Sequence, residues 1–470
     1  MPLAWVDEIA GLEPAINFLQ GNGYTSKLWP QEGVEKQFMA YLPLQGWLHI
    51  IFQKIFSFSI YTIRLPYALF LVSGAAFLYK SLSMRHLSTV ALLAVVMIIL
   101  NEKSLFETTR AIRVEPISFL LLCIAYFGFT TRNFHITMAA SALMMTLHPY
   151  LWPVAIVFMI SSFKERNGAA HWTNTLKPSI LWLYPAALGL FFLAFIHFNI
   201  EDFADQLLNQ ASRHENAGGI GTQLSNHFYG RFWPYYRTQP YIPFLVYGAL
   251  LASVINGIKR HISHFDVALI ATHIFWIINL GPMHRYNSVL IILSLFVLVP
   301  FIIRIEHLRF KPIGVLALSS VLMISCIDVS SRQVMAQMQR TERNPESFLD
   351  WLSENIPEGN TIIAGHEIAY YEAVANTNLD FFLFNTTPYR FDFEQYDNLL
   401  LISPQVFKEA NIIAQYKVEG GTSLGWIKNS GTKTYQDLYL LKVKDAKTYQ
   451  IVLTQMKNQN TVNNQKSKNR

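Results

Sequence analysis

The first residues of the sequence that could do chemistry are two adjacent carboxylates, Asp7 and Glu8, near the start of the chain. A carboxylate beside a reacting hydroxyl can act as a general base, and a neighbouring acid can orient a substrate. Catalytic carboxylates are nevertheless a minority of all carboxylates, and two solvated acids at an N-terminus are the ordinary alternative. The weight of this pair therefore depends on what the rest of the chain places on the same side.

A second group of charged residues, Arg110, Arg113 and Glu115, leads directly into a long apolar segment. The next residue, Pro116, suits the first turn of a helix, where the helix dipole favours a charged carboxylate at Glu115. If this stretch is helical, the two arginines lie one turn apart and can grip a phosphate bidentately. The alternative is a snorkelling pair that anchors the end of the helix.

Two more arginines stand at the ends of apolar segments. Arg64 precedes a Leu-Pro pair, and Arg285 precedes Tyr286. Each arginine alone is typical of a membrane anchor, and phosphate binding is the functional alternative. His148 lies at an apex between two apolar segments, where it serves either as a structural polar cap or in acid–base chemistry.

The stretch 199–240 is longer than a connection requires. It contains the glycine-rich run 218–221, which is a plausible hinge, and a cluster of aromatic rings that suits sugars or lipid headgroups: Phe228, Tyr229, Phe232, Trp233, Tyr235 and Tyr236. A surface loop that packs on an outer domain is the alternative. The chain has no Walker loop, HExxH or CxxC motif, which argues against a nucleotide hydrolase or a zinc protease.

The composition indicates what must hold these residues. Of 470 residues, 52% are hydrophobic and 14% are charged, against about 25% charged in a soluble domain. The mean hydropathy is +0.25. The two cysteines, Cys123 and Cys326, both lie in apolar runs and suggest neither a metal site nor a disulfide framework. These values are typical of a polytopic α-helical membrane protein.

Residues 1–63 contain no spanning segment. A Gly-Asn-Gly-Tyr turn at 21–24 is followed by apolar positions three or four apart between Leu42 and Ser57, which predict an amphipathic helix in the membrane interface. Ten apolar segments follow, at about 65–82, 88–100, 116–131, 136–148, 150–163, 179–198, 241–258, 266–280, 287–303 and 312–328.

Lysine and arginine in the short connections predict the orientation of these segments. One set of connections is rich in them: Lys80, Arg85, Arg132, Lys164, Arg166, Lys177, Lys259, Arg260, Arg304, Arg309 and Lys311. We assign that set to the cytoplasm. All the candidate residues above then face the outside, provided that the region 136–163 is two short helices and not one span.

The sequence divides into four parts. Residues 1–64 form an outer segment with the acid pair and the interfacial helix, and 65–328 form the transmembrane domain. Residues 329–445 contain a helix opening at Asn344-Pro345 and short strands, which indicate a small extracytoplasmic α/β domain. The tail 446–470 is rich in Asn, Gln and Lys, and we expect it to be disordered.

The order of these motifs resembles the membrane glycosyltransferases of the GT-C superfamily. The resemblance is to the branch that contains the dolichyl-phosphate-mannose protein mannosyltransferases and the bacterial lipid A aminoarabinose transferase. It covers most of residues 1–350 and rests on the following motifs: Asp7-Glu8, Gly21 to Tyr24, Pro43-Leu44, Arg64-Leu65-Pro66, Arg110, Arg113 and Glu115, and Arg285-Tyr286. The chain departs from the family in two ways. The family has a span before the acid pair, so we expect a missing first helix, and many relatives have Asp where this chain has Glu115.

The resemblance implies transfer of one sugar from a polyprenyl-phosphate donor to an acceptor hydroxyl outside the cytoplasm, with inversion at the sugar carbon. It implies Asp7 as the base, and Glu8 and Glu115 as residues that orient the acceptor or hold a cation. Arg64, Arg110, Arg113 and Arg285 become candidates for the donor phosphate, with His148 and Tyr286 in support. Relatives differ in their use of a divalent metal. The implied location is the bacterial inner membrane, with lipid, glycan or protein as the acceptor and no nucleic acid partner.

Two other functions fit a polytopic chain. A flippase or transporter of lipid-linked sugars would show inverted repeats and charges at mid-membrane, whereas the charges here gather at one face. A non-catalytic subunit of polysaccharide assembly is the third alternative.

Overall fold

The computed structural model describes most of the chain up to residue 307 and selected parts after it. The described ranges are 6–26, 36–56, 58–110, 112–168, 178–212, 219–279, 284–307, 345–356, 362–364, 381–382, 399–403, 410–417 and 438–443, with scattered positions between 319 and 371. The chain forms two compact units. One comprises residues 39–56 and 61–329, and the other comprises 1–38, 57–60 and 330–470.

The described part is mostly helical. The helices are α1 Val6–Leu19, α2 Pro43–Ile55, α3 Ile60–Ser83, α4 Thr89–Leu100, α5 Lys103–Arg110, α6 Val114–Thr130, α7 Phe134–Leu147, α8 Trp152–Gly168, α9 Leu183–Phe195, α10 Ile200–Ser212, α11 Ile220–Ser225, α12 Trp233–Thr238, α13 Tyr241–Ile258, α14 His264–Asn279, α15 Asn287–His307 and α16 Pro345–Asn355. Each predicted apolar segment up to residue 303 coincides with one of these helices, whereas the segment 312–328 lies largely outside the described residues.

Few of these helices reach the length of a bilayer. By length and apolar content, Tyr61–Ser83 and Tyr241–Ile258 can each cross a membrane, and the pair Ile180–Phe195 and Ile200–Leu208, bent by 89°, makes a third if it counts as one span. Shorter apolar helices of 10–17 residues accompany them. A helix needs about 20 apolar residues to span the hydrocarbon core.

The predicted break at His148 is present. α7 and α8 are separate helices, joined by the extended residue His148 and a 3-10 turn at Pro149–Leu151. α7 also packs closely against α6 at Gly128, where the absence of a side chain allows the two helices to approach. A Cβ at this position would lie 2.4 Å from the hydroxyl oxygen of Thr137. Aromatic rings fill the space between α6, α14 and α15, where Tyr126 stacks on Phe296 at 4.0 Å.

The predicted interfacial helix is α2. Its polar face is buried and its apolar face is exposed, the opposite of a helix on the surface of a soluble protein. Its buried side includes Gln45 and His49, while Trp47, Ile51 and Ile55 are exposed. An apolar face turned outward suits a helix that lies against lipid. The polar residues that interrupt the apolar pattern therefore point into the protein.

The second unit contains one departure from the sequence prediction and one agreement. The stretch with Asp7 and Glu8, which we predicted to belong to an outer loop, forms the first turn of α1, where the helix dipole favours acids. The side chains of both acids lie outside the described residues. The glycine turn after α1 is confirmed, since Gly21 and Gly23 adopt φ of 87° and 76°, conformations that favour glycine.

The same unit contains a five-stranded sheet with the order β2-β1-β3-β5-β4. Its strands are β1 Ile362–Ala364, β2 Phe381–Phe382, β3 Leu399–Ser403, β4 Ala410–Tyr416 and β5 Leu438–Val443. β1 pairs in parallel with β2 and β3, whereas β5 pairs antiparallel with β3 and β4. α16 packs on the sheet through Phe348, whose ring lies 5.3 Å from that of Tyr416.

Candidate functional site

The centre of the candidate site is Glu115, in the first turn of α6. Its side chain is fully buried and pairs with Arg113, whose Nη2 lies 3.2 Å from Oε1 and whose Nε donates to both carboxylate oxygens at 3.2 and 3.3 Å. Burial raises the pKa of Glu115, and the positive charges of Arg113 and Arg285 oppose this rise. A buried carboxylate is therefore paired with one predicted arginine and lies within the electrostatic influence of a second.

The backbone before Glu115 differs from the predicted helical turn. α5 ends at Arg110, Ile112 adopts a φ of 48°, and Arg113 is the extended N-cap of α6. The two arginines therefore do not lie one turn apart on a helix, and the side chain of Arg110 lies outside the described residues. A β-branched residue in the left-handed region costs about 1–3 kcal/mol and persists only where its surroundings impose it.

Tyr286 brings the second predicted motif to the same place. It belongs to a 3-10 turn, His284–Tyr286, immediately before α15. The guanidinium carbon of Arg113 lies 5.9 Å from the centre of its ring. The backbone carbonyl of Arg285 accepts a hydrogen bond from the Ser104 hydroxyl at the start of α5. The 3-10 turn is thus tied to the helix that leads into Arg113.

His148 and Tyr150 close the aromatic side of the site. The His148 ring lies 5.3 Å from that of Tyr286, and its Nδ1 accepts a hydrogen bond from the backbone N–H of Tyr150 at 3.3 Å. Tyr150 stacks on Tyr286 at 4.5 Å, and its hydroxyl lies 2.6 Å from that of Ser118 on α6. His148 therefore caps the 3-10 turn, which agrees with the structural interpretation of this residue.

The structure thus brings together five of the predicted residues: Arg113, Glu115, His148, Arg285 and Tyr286. Arg64 is buried on α3, three residues before Tyr67, which hydrogen-bonds to α2. The positions of Asp7 and Glu8 belong to the other unit, and their side chains are not described. Their roles, like that of Arg110, remain predictions.

Sequence reasoning missed Arg231. This residue follows a π-helical turn, Asn226–Gly230, and its side chain is fully buried. Its guanidinium lies 4.8 Å from the ring of Trp276, which in turn lies 6.5 Å from Tyr286. Burial lowers the pKa of Arg231 to about 9, and Tyr286 and Tyr235 oppose this shift. Arg231 is therefore a buried cation at neutral pH, held by cation–π contact beside the predicted site.

The signal for Arg231 was present in the sequence, as one basic residue inside the aromatic cluster of the 199–240 stretch. That stretch is largely helical, and it is tied to the rest of the unit by buried polar contacts. The Gln239 amide donates to the carbonyl of Asn101 at 2.6 Å, and the Tyr235 hydroxyl donates to Glu102. These contacts fix the segment that carries Arg231 beside α5.

Glu102 is a second buried acid that the sequence analysis did not single out. Its carboxylate accepts hydrogen bonds from the backbone N–H groups of Ser104 at 2.8 Å and Leu105 at 2.6 Å, as well as from Tyr235. It therefore caps the N-terminus of α5. Within the described ranges, no three His, Cys, Asp or Glu residues come close enough to hold a metal ion.

The arrangement suits the binding of an anion beside aromatic rings. Arg113, Arg231 and Arg285 supply positive charge, and the rings of Tyr150, Tyr286 and Trp276 supply flat apolar faces. Arginine matches the geometry of phosphate oxygens better than lysine does. Burial strengthens such interactions because the local dielectric constant is low.

Comparison with known proteins places the fold. No protein-family model and no curated sequence matches the chain. Two solved structures match, both of ArnT from Cupriavidus metallidurans. The form bound to undecaprenyl phosphate has a TM-score of 0.53, and the apo form has 0.55. Both are 8% identical, with 94% of each chain covered. The chain has an ArnT-like fold, which confirms at the level of the fold the resemblance to the lipid A aminoarabinose transferase branch.

Proposed function

We propose that this protein is an integral membrane glycosyltransferase that moves one sugar from a polyprenyl-phosphate donor to an acceptor hydroxyl. The observation that carries the proposal is the meeting of Arg113, Arg231 and Arg285 around Tyr286 and Trp276, in a chain whose fold resembles that of a protein crystallised with undecaprenyl phosphate. A cluster of arginines beside aromatic rings suits a lipid phosphate that carries a sugar.

The reaction is a single displacement. The acceptor oxygen attacks the anomeric carbon as the bond from that carbon to the lipid phosphate oxygen breaks, and the hydroxyl proton passes to Asp7. The configuration of the sugar carbon is inverted, and the lipid phosphate leaves as an anion. The arginines stabilise the charge that develops on this leaving group.

The remaining residues have supporting roles in this proposal. Arg64 and Arg110 are further candidates for the phosphate, and Glu8 orients the acceptor or holds a divalent cation. Glu115 orients Arg113, and His148 and Tyr286 shape the aromatic wall. The site opens on the extracytoplasmic face of the membrane, which the distribution of lysine and arginine in the connections supports, and the resemblance implies a bacterial inner membrane.

A donor-consumption assay tests the proposal against its alternatives. Membranes that contain the protein are incubated with a polyprenyl-phosphate sugar radiolabelled in the sugar, and membranes without the protein serve as the control. A glycosyltransferase releases polyprenyl phosphate and moves the label to an acceptor. Label that crosses the membrane on intact donor would instead indicate a flippase, and donor that stays intact and in place would indicate a non-catalytic subunit.

A further inference from the structure

The backbone at Ile112 directly precedes Arg113, so its conformation affects the position of the Arg113 side chain. Ile112 is fully buried and left-handed, and the next residue, Arg113, caps α6 and pairs with Glu115. The direction in which Arg113 leaves the backbone therefore depends on how Ile112 is held. A buried carbonyl also requires a hydrogen-bond donor.

Gln45 supplies that donor from another part of the chain. Its Nε2 donates to the Ile112 carbonyl at 2.9 Å, although the two residues lie 67 positions apart. Gln45 belongs to the inward polar side of α2 and is itself buried. A charged or flexible surface residue could not hold a strained backbone in this way, whereas a buried amide has few other conformations.

The amide of Gln45 is itself positioned. Its Nε2 also lies 3.5 Å from the hydroxyl of Tyr67, and that hydroxyl lies 2.9 Å from Nε2 of His49, one turn later on α2. Burial lowers the pKa of His49 to about 3, so this network stays neutral at physiological pH. Two residues on α2 and one on α3 thus form a fixed support beneath the backbone of Ile112.

We infer that Gln45 is a positioning residue of the donor-phosphate site. It fixes the left-handed backbone at Ile112 and thereby aims the guanidinium of Arg113. The inference rests on the proposed function, because Arg113 binds the donor phosphate only if that function is correct. The simpler alternative is a buried hydrogen bond that contributes to stability and leaves the site unaffected.

A binding measurement with the full-length protein separates these two roles. Radiolabelled undecaprenyl phosphate is titrated into the purified protein in detergent micelles, with wild type, Gln45→Met and Gln45→Leu compared. Gln45→Leu also removes the donating N–H group but has a shorter side chain, so it serves if the methionine variant does not fold. We expect binding to weaken about tenfold in either variant, since small displacements of a positioned group have effects of this order or larger.

Gln53 provides the matched control, because it lies on the same helix and its Nε2 has no hydrogen-bond partner in the part of the chain that the structure describes. Gln53→Met should bind undecaprenyl phosphate as wild type does. A purely structural role for Gln45 would lower the melting temperature and leave the dissociation constant unchanged, which would overturn the inference.

A double-mutant cycle gives the second readout. If Gln45 acts through Arg113, adding Gln45→Met to Arg113→Met weakens binding no further than Arg113→Met alone. Two independent losses that multiply would overturn the inference. Wild-type protein that binds no undecaprenyl phosphate, or an Arg113→Met variant that binds it normally, would instead contradict the proposed function, and the inference falls with it.

Discussion

Two buried glutamates at neighbouring helix starts have different surroundings. Glu102 precedes α5 and Glu115 lies in the first turn of α6, and both side chains are almost fully buried. The described partners of Glu102 include two backbone N–H groups and the Tyr235 hydroxyl, all of which donate hydrogen bonds to its carboxylate. Glu115 pairs with Arg113 and interacts electrostatically with Arg285.

The difference separates a structural acid from an acid of the site. Hydrogen bonds from backbone N–H groups fix the end of a helix and saturate the carboxylate. An ion pair with an arginine holds a cation in place while leaving some of its donors for a ligand. Burial alone therefore does not identify a functional acid, and the nature of its partners does.

The largest predicted effect concerns an acid outside this comparison. In our proposal Asp7 is the base, as the resemblance to the GT-C glycosyltransferases implies, and the two buried glutamates have other roles. Asp7→Asn should lower the rate of sugar transfer by about 10²–10⁴-fold, the range typical of a lost general base. The rate of donor consumption by membranes measures this, with undecaprenyl phosphate binding unchanged.

Glu8→Gln is the matched control for this change, because it alters the adjacent acid on the first turn of α1. It should retain more activity than Asp7→Asn. Equal losses of transfer in the two variants, or full transfer by Asp7→Asn, would contradict the assignment of Asp7 as the base.

The next effect tests the ion pair directly. Glu115→Gln removes the charge that orients Arg113, and we expect kcat/KM for the donor to fall about 10- to 100-fold because a positioned cation is displaced. Glu115→Asp keeps the charge, and aspartate stands at this position in many proteins of the family that the chain resembles. It should retain most of the activity, measured in the same assay. Equal activity of wild type and Glu115→Gln would show that the pair is only structural.

The third prediction concerns Glu102, where stability should change instead of activity. Glu102→Gln replaces one accepting oxygen with an N–H donor that faces other donors, which costs about 1–3 kcal/mol of folding free energy. Thermal unfolding should show the loss, while the rate of transfer per folded molecule stays near that of wild type. Glu201→Gln, at an exposed acid in the first turn of α10, is the control and should unfold as wild type does. A lower kcat in Glu102→Gln with unchanged thermal stability would show that Glu102 belongs to the site and is not merely structural.

The sequence predicts the helices and several residues of the site, because charged residues next to strongly apolar segments are easy to recognise. Charged residues beside apolar segments are costly to bury, so Arg113, Glu115 and Arg285 stand out at the ends of segments whose hydrophobicity is plain. These three residues can come together in the folded protein if the segment ends that carry them lie on the same side of the membrane. Periodicity also predicts α2, and a proline after His148 predicts the break between α7 and α8.

The rest depends on packing that no local pattern records. Periodicity identifies the two faces of α2 but does not say that Gln45 and His49 point into the protein. The left-handed backbone at Ile112 is imposed by its surroundings, against the preference of a β-branched residue. Arg231 was hidden because a cation among aromatic residues is usual in a surface loop as well as in a buried cation–π contact.

The smallest predicted effect concerns pH and the segment that carries Arg231. That segment has one anchor at Glu102 and another at His227, whose Nε2 lies 2.7 Å from Nδ1 of His273. Burial lowers the pKa of His227 to about 2, and the charges of Arg231 and His273 act in the same direction. Between pH 6.5 and about 2, the unfolded chain therefore binds a proton at His227 that the folded chain does not.

Folding stability should consequently rise with pH through that window and be complete above the ordinary histidine pKa. For one buried neutral histidine, lowering the pH from 6.5 to 5.5 costs about 1 kcal/mol. Melting temperatures at the two pH values measure this loss, and His227→Phe should show a smaller difference than wild type. Equal pH dependence in both proteins would mean that His227 is protonated in the folded state.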